Sequence, residues 1–127
     1  MLPARMEARA RLGMQPDQNL SVENAEQKKL CDELRAENSS VIEDGISMLD
    51  KAIQLRLDYD DAMAYMNLMY RERADLQCAD PVARSRDLKT ADDWVDKAMA
   101  AKQAKAKAQA EAVKANSQRH TTAPNPQ

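Results

Sequence analysis

Two pairs of adjacent carboxylates, Asp60–Asp61 and Asp92–Asp93, are the side chains whose types could support acid–base chemistry. Such chemistry needs groups that converge on one substrate atom. Adjacent residues on a helix point about 100° apart, so neither pair converges. The single histidine, His120, lies in a tail rich in Thr and Pro. We therefore expect helix capping from the first pair, solvated surface from the second, and no catalytic residue, cofactor or metal site.

The two cysteines, Cys31 and Cys78, match neither a disulfide framework nor a C-x-x-C pair. Together with one histidine they supply too few ligands for a zinc site. The sequence thus predicts two reduced structural thiols. No stretch has the roughly 20 apolar residues that span a bilayer, and no signal peptide is visible. The compartment is cytoplasmic by default, or an exported one if a signal precedes this chain.

Composition favours an all-α protein with a thin core. The 127 residues include 22 alanines, 2 glycines and no phenylalanine, and Ile, Leu and Val together number 19. Sheets are disfavoured because strands favour β-branched and aromatic residues and hairpins favour glycine. Residues 21–98 carry 18 acidic and 11 basic side chains, whereas residues 99–127 carry 5 basic and 1 acidic. The chain therefore combines an acidic body with a basic tail.

Apolar periodicity and capping signals divide the chain into segments. Ser40 with Glu43 resembles a capping box, and Asp80 before Pro81 is a strong helix start. The predicted helices cover 22–37, 40–56, 60–76 and 81–116. The predicted organisation is an N-terminal helical fragment and linker at 1–20, α-hairpin repeats at 21–101, an Ala/Lys-rich helical extension at 102–116 and a disordered tail at 117–127.

The spacing of large and small residues resembles that of the tetratricopeptide repeat family. The first helix of that repeat has a W-x2-L-G-x2-Y spacing, and the second alternates small and large residues every three or four positions. Residues at corresponding positions are Gly45, Leu49, Ala52, Met63, Met66, Asn67, Tyr70, Ala91, Val95 and Ala98. The sequence departs from the family at Leu57 and Gln103, where the repeat has proline, and at Asn67, where it has glycine.

The resemblance covers residues 40–101 and implies antiparallel helix-turn-helix repeats with a long C-terminal capping helix. Because about three repeats make a stable stack, it also implies the C-terminal part of a longer array, or a homo-oligomer. The implied function is a non-enzymatic scaffold that binds a protein or peptide in a helical groove. An unrelated helical bundle, and a structural segment that mediates oligomerisation, are the alternatives.

In this family the first helices line the groove. The corresponding residues here are Asp61, Ala64, Tyr65, Leu68 and Arg71. The family's carboxylate clamp uses Lys and Asn at positions that Ala64, Tyr65 and Leu68 occupy, so an acidic C-terminal tail is a disfavoured partner.

Two further features bear on partners. The basic helix Lys102–Lys114 lacks interleaved aromatic residues and forms only a weak basic patch. A solvated cap is therefore favoured over a contact with nucleic acid or anionic lipid. Trp94 lies one position from the Ala91–Val95 stripe and is expected to flank the core, with an exposed anchor for a partner as the alternative.

Overall fold

The chain is all-α in its described part. The computed structural model describes residues 25–122, with side chains up to Arg119. Within this range three helices and no strand are present: α1 (Ala25–Leu55), α2 (Asp60–Asp75) and α3 (Pro81–Thr122). The predictions for residues 1–24, including the N-terminal fragment and linker, and for residues 123–127 lie outside the described residues.

Short turns make the three helices antiparallel, with α2 in the middle. Gly45 of α1 lies against Met69 of α2, and Ile53 packs with Met66 nearer the turn. Both α1 and α3 pack on α2. A Cβ atom on Gly45 would lie 3.0 Å from the Met69 Sδ atom, so the absence of a side chain permits this close approach of α1 and α2.

The core is thin and consists of side chains from all three helices. At the α1–α2 end, Ile53, Ala62, Met63 and Met66 form a buried cluster, against which Trp94 packs from α3. The expectation that Trp94 flanks the core is thereby confirmed. Partly buried neighbours of the cluster include Ile46, Leu49, Tyr59, Tyr70, Ala98 and Ala101. None of the ten residues that carry the repeat resemblance is exposed.

The start of α3 agrees with the sequence prediction. The Asp80 carboxylate accepts a hydrogen bond from the Ala83 backbone N–H at 3.0 Å, and Pro81 occupies the first helical position. The helix continues to Thr122, past the predicted end at 116 and into the segment predicted to be disordered. Residues 82–123 contain no glycine or proline that would end it earlier.

The predicted break at residues 38–40 is wrong, because α1 is one helix of 31 residues. The Asn38 side-chain amide donates to the Leu34 carbonyl at 2.8 Å, and the Ser39 hydroxyl donates to the Arg35 carbonyl. These bonds satisfy the polar side chains inside the helix instead of ending it. Glu43, the second member of the predicted capping box, instead accepts a hydrogen bond from Arg73.

The prediction of two reduced thiols is also wrong. Cys31 of α1 and Cys78 of the α2–α3 turn form a disulfide with Cα atoms 5.8 Å apart and 47 residues of separation. The antiparallel path returns the α2–α3 turn to the N-terminal part of α1. Within residues 25–41, Cys31 and Leu34 are the buried side chains of α1. The disulfide therefore supplies a covalent link where apolar contact is sparse.

We expect loss of this link to destabilise the protein substantially. Replacing both cysteines, Cys31→Ser with Cys78→Ser, should lower the free energy of unfolding by about 4 kcal/mol, because the unfolded chain regains the entropy of an open loop. Urea unfolding followed by circular dichroism measures this change. Dithiothreitol should lower the midpoint of the wild type and leave that of the double variant unchanged. Equal midpoints for the double variant and the oxidised wild type would contradict the expectation.

Candidate functional site

An exposed apolar pair lies on the face of α2 that points away from the core. Tyr65 is 57% exposed and Leu68 is 49% exposed. Asp61 and Ala64 are exposed on the same helix, whereas Met63 and Met66 are buried. Residues three and four apart share a helix face, so the four exposed side chains form one surface. We call Asp61, Ala64, Tyr65 and Leu68 the α2 surface.

Arg71, the fifth predicted binding residue, is engaged within the chain. Its Nε–H donates to the Asn67 side-chain oxygen at 2.7 Å, and its terminal nitrogen donates to Asp92 of α3 at 2.7 Å. The Arg71 side chain is 42% exposed and that of Asp92 is 70% exposed. The cation is therefore directed towards α3 and lies at the edge of the α2 surface.

A groove between two first helices is not assembled within the described residues. The predicted helix at 22–37 is instead continuous with the following one in α1, so α2 has no separate earlier first helix beside it. The α2 surface is consequently an open helix face. A partner that lies on this face would contact side chains of α2 before any second wall.

The densest polar cluster joins all three helices around Arg73. Its Nε and one terminal nitrogen donate to the same Asp87 carboxylate oxygen of α3, at 3.1 and 2.8 Å. A further nitrogen donates to Glu43 of α1 at 3.1 Å, and the guanidinium lies 4.7 Å from the Tyr70 ring centroid. Gln77 donates to the other Asp87 oxygen at 2.8 Å.

Burial and charge explain what this cluster can do. The Asp87 side chain is 4% exposed and that of Arg73 is 31% exposed. The hydrogen bond to Asp87 raises the pKa of Arg73 further above its already high ordinary value. A guanidinium held in this state stays protonated near neutral pH. The cluster consequently fastens helices together and offers no acid–base pair.

The paired carboxylates have separate partners. Asp60 binds Lys105, and this hydrogen bond lowers the pKa of the Asp60 carboxyl below its ordinary value. Asp92 binds Arg71, and Asp93 accepts a hydrogen bond from Lys89 at 3.3 Å. The structure therefore does not bring the carboxylates together. Among the side chains described, those of residues 25–119, no three from His, Cys, Asp or Glu are grouped so as to hold a metal ion.

Three features were missed by reasoning from the sequence. The Arg73 cluster and the disulfide depend on residues far apart in the chain, for which no local pattern exists. The third is a row of exposed apolar residues along α1, with Val41 58%, Met48 71% and Leu55 89% exposed. Their spacing of seven residues was a usable signal, since it keeps side chains on one helix face.

No protein-family model, curated protein or solved structure matches the chain. None of the helices in the described range has both the length and the apolar character required to cross a membrane.

We expect the Arg73 cluster to contribute more to stability than the exposed ion pair between Arg71 and Asp92. Arg73→Met should lower the free energy of unfolding by about 3 kcal/mol, because Asp87 would remain buried without its counter-charge. Arg71→Met is the matched control and should cost less than about 1 kcal/mol, since its ion pair with Asp92 is exposed. Urea unfolding of both variants measures the difference. Equal costs would contradict the assigned role of Arg73.

Proposed function

We propose that the protein is a non-enzymatic interaction scaffold of the tetratricopeptide type, which binds a protein or peptide partner through the α2 surface. The exposure of Tyr65 next to Leu68 is the observation that carries this proposal. A protein interface commonly obtains much of its affinity from a few aromatic and apolar anchors in its centre. A tyrosine also offers a hydroxyl that can donate to a peptide carbonyl.

The rigidity of the helix that presents these anchors supports the proposal. On its inner face α2 packs Ala62, Met63 and Met66 into the core. Its C-terminal part is bound through Arg73 to both neighbouring helices. A surface fixed in this way loses little conformational entropy on binding, which favours affinity.

The charges near the α2 surface favour a particular kind of partner. Asp61 is exposed at its N-terminal end, whereas the Arg71 cation is already paired with Asp92. An apolar peptide with a cationic group at one end would complement these features. The Asp61 charge would mainly determine the orientation of the peptide and the rate at which it associates. The contacts with Tyr65 and Leu68 would mainly determine the affinity.

The disulfide favours an oxidising compartment as the location of the protein. Structural disulfides persist where thiols are oxidised, as outside the cell or in the bacterial periplasm, and are uncommon in a reducing cytosol. Cys31 is 3% exposed, and the bond joins α1 to the α2–α3 turn across 47 residues of sequence. We therefore place the scaffold in a compartment where Cys31 and Cys78 are oxidised.

The function is tested by truncating the two anchors together. Tyr65→Ala with Leu68→Ala should change the free energy of unfolding by less than about 1 kcal/mol, because both side chains are exposed. Peptides selected on the wild type from a random phage-displayed library should bind the double variant at least tenfold more weakly, equivalent to about 1.4 kcal/mol. Fluorescence polarisation with the synthesised peptides measures the affinities.

The matched control replaces two exposed apolar residues of α3, Val82→Ala with Met99→Ala, which are 67% and 56% exposed. This variant should retain full affinity. Selected peptides that bind the Tyr65 and Leu68 double variant as tightly as the wild type would refute the α2 surface as the binding site.

The compartment is tested by trapping thiols in the source cells. After acid quenching, a maleimide-linked polymer that reacts with free thiols should leave the chain unmodified, because Cys31 and Cys78 are bonded to each other. Reduction before the reaction should free both thiols and add two polymer units. The Cys31→Ser with Cys78→Ser variant supplies the unmodified reference. Two units added without reduction would contradict an oxidising compartment.

A further inference from the structure

A second exposed apolar row lies on α1 and is separate from the α2 surface. It consists of Val41, Met48 and Leu55, with exposed fractions of 58%, 71% and 89%. Successive members are seven residues apart, so the row follows one side of the helix for about two heptads. Ile42 and Ile53 point to the buried side of the same helix. We call Val41, Met48 and Leu55 the α1 row.

Opposite charges lie beside the α1 row on either side of its centre. Asp44 precedes Met48 by four residues and Lys51 follows it by three. Both side chains are exposed, and neither forms an ion pair with another residue in the described part of the chain.

We propose that the α1 row is the interface between two copies of this chain, whose α1 helices pack antiparallel about a two-fold axis at Met48. In this arrangement Val41 of one copy meets the partner's Leu55, and the two Met48 side chains meet on the axis. Asp44 then lies within one residue of the position opposite the partner's Lys51. The axis generates each contact twice, as a two-fold interface requires.

The occupant is identified by this self-complementarity. The α1 row is apolar at both ends and in the centre. Asp44 and Lys51 lie at nearly equal distances from Met48, on its N-terminal and C-terminal sides. The row is therefore complementary to an antiparallel copy of itself. A parallel copy would place Asp44 opposite Asp44 and Lys51 opposite Lys51, which is repulsive. The proposal does not depend on the partner proposed for the α2 surface.

Sedimentation velocity of the full oxidised chain over a concentration series tests the dimer. The wild type should shift from monomer to dimer as concentration rises. Met48→Asp should weaken the association at least tenfold, because it places two carboxylates on the axis. Met99→Asp, which introduces the same charge at an exposed methionine of α3, should associate as the wild type does.

Charge exchange tests the antiparallel orientation. Asp44→Lys and Lys51→Asp should each weaken the dimer, and the variant that carries both changes should regain wild-type association. Failure of the combined variant to regain it would overturn the antiparallel arrangement.

A wild type that stays monomeric at every concentration would overturn the dimer itself. Hydrogen peroxide footprinting then reports what covers the row. Rapid oxidation of Met48 would indicate that the α1 row is exposed to solvent. Protection of Met48 in the monomer would indicate that residues 1–24 cover the row. In a dimer, protection should instead increase with concentration.

Discussion

One guanidinium group determines how the three helices are held together. Arg73 of α2 donates hydrogen bonds to Glu43 of α1 and to the buried carboxylate of Asp87 on α3. A chain with few large apolar residues has limited area to bury, so a charge bridge between helices has more influence than it would have in a thick core. Removing the cation would leave a buried anion, which makes the three-helix arrangement depend on it.

The disulfide and Lys105 act at the two ends of this assembly. Cys31–Cys78 fastens the N-terminal part of α1 to the α2–α3 turn, and Lys105 binds Asp60 where α2 begins. With both inner faces of α2 occupied and both ends fastened, the outer face is left to solvent. This explains how a thin three-helix core can present Tyr65 and Leu68 without losing its fold.

Local signals in the sequence were sufficient for the fold class and for the helix boundaries at the two turns, 55–60 and 75–81. Asp80 followed by Pro81 defined the start of α3, and the periodicity of Met63 and Met66 gave the buried side of α2. The break at Ser40 failed because polar side chains can bond to their own helix, which composition does not reveal. The disulfide and the Arg73 cluster join positions that only the antiparallel fold brings together, so no spacing rule could have found them.

Because Glu43 and Asp87 bind one shared cation, the contributions of these two carboxylates to stability should be coupled. A double-mutant cycle with Glu43→Gln and Asp87→Asn, measured by urea unfolding, tests it directly. In the wild-type background we predict a coupling of at least about 0.5 kcal/mol, which should vanish in the Arg73→Met background. Additive effects of the two substitutions with Arg73 present would show that Arg73 does not couple Glu43 to Asp87.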